Sequence, residues 1–205
     1  MKKTHYPENV QTFLDTVASD AKEHGINIKL TKGRSVRLYP KGKAGGYFDE
    51  CDIVVAANMP YQKWLPIFVH EACHMYQMIE GSRYLTPDLD DNIAKFDRYL
   101  SGTNVRNMEH VMDTIVMMEA DCERRSIKKI KEFRLPINLD TYGKKANAYL
   151  LSHKALLHYR SWYKLSPSWS PYVWKYLPTT VSAPHTYRMK NIKVDPTYFK
   201  SSFEK

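Results

Sequence analysis

A chain of 205 residues with 43% hydrophobic and 26% charged side chains has the composition of a globular protein able to bury one sizeable core. No stretch approaches the roughly 18 apolar residues of a membrane span, and Met1–Pro7 lacks the apolar run of a secretory signal. The three cysteines, Cys51, Cys73 and Cys122, cannot make a disulfide framework. A cytoplasmic protein without a membrane partner is therefore expected. The formal charge of +9 admits nucleic acid as a partner but does not demand it. The excess is spread along the chain, and its one dense block, Arg124–Lys131, reads as a solvated helix end where cations suit the dipole.

Taken in order, residues Pro7 to about His24 predict a helix, with Val10, Phe13, Leu14, Val17 and Ala21 as its apolar stripe and Gly25 as its stop. Ile26–Thr31 and Ser35–Tyr39 alternate, and Asp52–Ala56 is a short apolar run. Turn signals at Lys32-Gly33 and Gly42–Gly46 separate them, which predicts a small antiparallel sheet. A second helix spans about Tyr61 to Glu80, closed by Gly81. Ser82–Arg98 is polar and acidic and reads as a loop or short helix. A long helix runs from about Asn104 to Phe133 and stops near Leu135-Pro136. Another covers about Tyr142–Tyr163. The tail from about 165 to 205 is rich in Pro and aromatics, including Trp169, Tyr172, Trp174 and Tyr176, and reads as an extension packed on the rest. The order predicts one α+β domain over residues 1–205.

Within the second helix, His70-Glu71-Ala72-Cys73-His74 has the pattern H-E-x-x-H. Residues four apart sit on one helix face, so both imidazoles can reach one metal ion while Glu71 stays beside the water it activates. With ten Glu and eight His in the chain, chance would produce the pattern in roughly one to two per cent of shuffled sequences. Trp64, Leu65, Phe68, Val69, Ala72 and Met75 make the helix apolar on most sides, and ionisable groups on such a helix need partners. Cys73 points away from the histidine face and reads as a core residue. Zn²⁺ is the expected cofactor, with Glu71 as catalytic base and a peptide or protein as substrate.

Catalytic zinc takes three protein ligands, so a third is required. Glu80 stands about 9 Å further along the helix axis than His74 and is too far. Glu109, Glu119 and Glu123 on the long helix remain. Glu119 falls near the middle of the face made by Met108, Val111, Met112, Ile115, Val116, Met118 and Cys122, where a carboxylate is costly without a cation or full hydrogen bonding. Glu119 is the expected third metal ligand and Glu109 the alternative. Glu123, one turn later, is placed to hold a ligand imidazole by its other nitrogen. Tyr149, His153, His158 and Tyr159 are donors for an oxyanion, though packing on their own helix explains each as well.

H-E-x-x-H followed, 45 residues after its second His, by Glu119-Ala120-Asp121 on another helix resembles the gluzincin metallopeptidases. The layout is similar to ImmA/IrrE-type minimal zincins, and the longer strings His70–Gln77 and Glu119–Arg124 look like small metallopeptidases of tailed bacteriophages. The resemblance covers roughly residues 50 to 165. It departs from the gluzincin E-x-x-x-D pattern at Glu123, and Gln77 stands where metzincins have glycine. It implies a zincin-like domain that binds extended substrate along a sheet edge, with Asp52–Ala56 as that edge by chain order. The competing expectations are a regulatory or nucleic-acid-associated zincin-fold protein and a protein in which zinc is only structural.

Overall fold

A computed structural model describes residues 6–37 and 43–203 of the chain. The start Met1–His5, Tyr39 of the second expected strand and Gly42 of the expected turn lie outside the described residues. The architecture is α+β, in two compact units: Met1–Ser82 with Arg125–Ile137, and Arg83–Arg124 with Asn138–Lys205.

In the first unit, helix α1 (Glu8–Glu23) follows Pro7 and buries Val10, Phe13, Val17 and Ala21. Among the described residues, five strands follow: β1 (Asn27–Thr31), β2 (Val36–Arg37), β3 (Lys43–Ala44), β4 (Gly46–Phe48) and β5 (Asp52–Ala56). The expected antiparallel sheet is instead mixed. Strand β5 pairs in parallel with β1, from Asn27↔Asp52 to Thr31↔Ala56, and antiparallel with β4. β2 and β3 form a separate two-stranded ribbon. The order β1-β5-β4 also corrects the edge assignment, because Asp52–Ala56 is the central strand. Ile53, Val54, Val55 and Ala56 are all buried, as befits a strand covered on both faces. The edge nearest the motif helix is β4, which starts at Gly46, the last residue of the glycine-rich stretch that reads as a turn.

Helix α2 (Tyr61–Ile79) packs against this sheet and against α1. Phe13 meets Phe68 edge to face at 6.0 Å, and the Tyr76 hydroxyl donates to Asp20 at 2.6 Å. Burial and the neighbouring Asp20 push the Tyr76 phenol well above its usual range, so it stays a donor. The helix closes at Gly81, φ +65°, with Ser82 N–H on the Gln77 carbonyl at 2.8 Å and Gly81 N–H on Met78 at 3.2 Å. That is a Schellman cap, as the glycine led one to expect. The last turns of α4 (Met108–Glu132) complete the unit. Lys129 Nζ sits 4.6 Å above the Tyr76 ring, Arg125 pairs with Glu80, and Phe133 lies 5.1 Å from Phe13.

The second unit holds α3 (Leu89–Leu100), the first part of α4, and α5 (Leu139–Tyr159) with the tail. The tail makes short turns: α6 (Pro171–Trp174), α7 (Lys200–Phe203) and 3-10 segments at Pro167–Trp169, Pro184–Tyr187 and Pro196–Phe199. It is tied to α5 by a local device. Gly143 lies beneath the Thr179 carbonyl, and one turn later the buried Asn147 donates to Pro178 and Thr180 carbonyls at 2.9 and 3.1 Å while accepting from the Tyr187 hydroxyl at 2.6 Å. No described helix is long and apolar enough to cross a membrane.

His153, buried on α5, donates from Nδ1 to the Tyr149 and Leu150 carbonyls, each at 3.1 Å. Burial holds its pKa below the ordinary 6.5, against an opposing pull from Glu119. The unfolded chain then binds the extra proton, so this contribution to stability is complete above about pH 6.5 and is lost as pH falls towards the folded value. Unfolding free energies measured from pH 7.5 to 5 are expected to fall less steeply in His153→Leu than in the parent. The difference has a ceiling of one proton, about 1.4 kcal/mol per pH unit; parallel slopes would refute it.

Candidate metal centre

The apolar sides of α2 hold the motif in place. Trp64, Leu65, Phe68, Val69, Ala72 and Cys73 are buried, which leaves His70 and His74 half-exposed, one turn apart on the remaining face. Cys73 is a core residue, as its phase on the helix predicts. The two imidazoles approach edge to face, Nε2 to Nε2 at 3.1 Å. Two nitrogens bound to one tetrahedral zinc at about 2.0–2.1 Å would be about 3.3 Å apart. The pair is thus set at nearly the spacing an ion needs.

His74 is also fixed in tautomer. Its Nδ1 lies 2.8 Å from the side-chain oxygen of Gln77, an atom that only accepts, so Nδ1 carries the proton and Nε2 presents its lone pair to His70. Gln77 is fully buried, and its own backbone carbonyl is tied by the Schellman cap. In the sequence Gln77 stands out only as the residue that replaces the metzincin glycine. Its signal at the site is a buried amide three residues after a motif histidine.

One ring nitrogen of each histidine and the Cys122 sulfur lie within 4.8 Å of one another, a group that could hold a metal ion. Cys122 is buried on α4. It stands one turn before Arg125, which pairs with Glu80. The thiol escaped the sequence reading because Cys122 counts as one more apolar residue on the face that singled out Glu119. Glu119 precedes it by three residues, on the adjoining turn of that face. Its carboxylate is half-buried and accepts from the Tyr149 hydroxyl at 3.0 Å. Glu123 is buried. Glu109 is exposed in the first turn of α4, and Asp113, one turn after it, accepts from Met189 N–H at 2.5 Å. Thirteen residues of helix, about 20 Å, separate Glu109 from Cys122, so the two cannot share an ion.

Glu71 is only 8% exposed, with its side chain running under β4. A Cβ at Gly46 would stand 3.0 Å from Glu71 Cγ and 2.9 Å from the Val54 carbonyl, and one at Gly45 would meet Ile67 at 2.6 Å. The two glycines therefore let the edge strand lie directly on the motif helix. Among the donors considered for an oxyanion, Tyr149 is committed to Glu119 and His153 to backbone carbonyls. Compared with family models, curated proteins and solved structures, the chain matches none.

Proposed function

We propose that the chain is a zinc-dependent hydrolase of peptide bonds, in which His70, His74 and Cys122 hold the ion and Glu71 is the base. The observation that carries this is the histidine pair, with Nε2 atoms 3.1 Å apart and His74 set by Gln77 in the metal-binding tautomer. Zinc bound there supplies Lewis acidity, acidifying water and polarising a carbonyl. Glu71 takes a proton on its carboxylate and returns it to the leaving amine. Strand β4, paired on one side with β5 among the described residues, suits an extended peptide added along its other edge. The resemblance to gluzincins agrees with this reading but favours Glu119 as the third ligand.

A thiol in the ligand set also favours a second reading, in which Glu119 joins as a fourth ligand and the zinc is structural. Elemental analysis and competition with a chromogenic chelator test the site. The parent chain is expected to hold one zinc, His74→Ala none, Cys122→Ser a tenfold or greater loss of affinity, and Glu119→Ala near-parent affinity. Gln77→Leu should weaken binding about 10–100-fold. The reverse order for Cys122 and Glu119 would move the third ligand to Glu119, and full zinc in His74→Ala would remove the proposal.

A further inference from the structure

The tail has exposed aromatics and a concentration of positive charge that the metal site does not use. Tyr172 is 87% exposed, Tyr176 77% and Trp169 57%, although aromatic side chains usually supply packing area. Tyr172 and Tyr176 stand one turn apart on α6 and its continuation, where Lys175 N–H bonds the Pro171 carbonyl. Both therefore belong to one short surface segment. Tyr198 braces this turn, its hydroxyl donating to the Val173 carbonyl at 2.6 Å. Lysines surround it: Lys175 Nζ lies 5.3 Å from the Tyr176 ring, Lys144 Nζ donates to the Lys175 carbonyl at 3.0 Å, and Lys145 Nζ lies 5.5 Å from the Trp174 ring. Residues 160–203 contain seven Lys or Arg and one acidic residue, Asp195, so this fifth of the chain holds six of its nine net positive charges.

We infer that the α6 surface binds single-stranded nucleic acid, with Tyr172 and Tyr176 as stacking platforms for bases and Lys144, Lys175 and their neighbours facing the phosphates. Rings this exposed suit unpaired bases, and the sequence-independent pairing of lysine with phosphate supplies most of the attraction. A duplex keeps its bases stacked internally and has no use for the rings. The site is independent of the zinc proposal.

Fluorescence anisotropy of the full chain with labelled oligo-dT and oligo-U 20-mers, over 50 to 300 mM salt, tests the inference. Binding is expected to weaken steadily with salt and to be unaffected by EDTA. Tyr172→Ala and Tyr176→Ala, exposed positions whose loss leaves folding intact, should each weaken it about tenfold, and Lys175→Gln should flatten the salt slope. The ratio of the dT and U affinities then shows which strand is preferred. Absence of binding at 50 mM salt, equal affinity for a duplex of the same length, or tyrosine variants that bind like the parent would each overturn the proposal. So would self-association of the chain that disappears in Tyr172→Ala, because the rings would then serve a second copy.

Discussion

Replacing Glu71 by Gln is expected to leave zinc content and folding unchanged while lowering peptide hydrolysis by about 10²–10⁴-fold, the usual contribution of a positioned acid–base group. The substitution keeps the shape of a side chain confined beneath Gly46 and removes its charge and its capacity to take a proton. Gly46→Ala acts on the same contact from the other side: the new Cβ would press on Glu71 Cγ and on the Val54 carbonyl, so it should displace the carboxylate or the edge strand rather than the histidines. The measurement is turnover of a mixed peptide pool followed by mass spectrometry, alongside zinc stoichiometry for each protein. If zinc serves only structure, neither parent nor Glu71→Gln hydrolyses anything and the two unfold alike. Zinc lost together with activity would instead show that Glu71 supports the fold of the site, and the assignment of a base would fail.

Helices were legible in the sequence because their limits are chemical. Pro60 and Gly81 bracket α2, and Leu135-Pro136 follows α4, which ends with Arg134 in the left-handed conformation and Leu135 N–H on the Ile130 carbonyl. The sheet was not, for a tertiary reason. Gly45 and Gly46 read as a turn because glycine is the commonest turn residue, whereas here they are required by the approach of Ile67 and Glu71 from α2. Chain order likewise made β5 an edge, although its unbroken burial is the mark of a central strand. Helix α3 is the short helix that the polar stretch admitted beside a loop, and it buries only Leu89, Asn92 and Phe96. At the candidate site, spacing alone paired His70 with His74. The thiol of Cys122 and the amide of Gln77 carry no such mark in the sequence, because one residue type passes for core and the other for surface.

Gly143→Ala is expected to destabilise the second unit by about 3 kcal/mol, the opposite of what its place in helix α5 would suggest. An exposed helical glycine replaced by alanine gains about 1 kcal/mol from propensity. At position 143, however, the new methyl would fall 1.7 Å from the Thr179 carbonyl oxygen and 2.6 Å from its carbon, so backbone must move. Overpacking of this kind costs about 1–3 kcal/mol, and displacing the 178–180 segment also strains the buried hydrogen bonds from Asn147 to Pro178 and Thr180, each worth about 1 kcal/mol or more. The losses exceed the propensity gain. Urea unfolding of Gly143→Ala, Asn147→Ala and the double variant provides the test. Because both residues hold the same segment, the double variant should lose less than the two single losses combined. Strict additivity would mean that they act separately, and a Gly143→Ala protein more stable than the parent would show that the segment does not lie on the helix in solution.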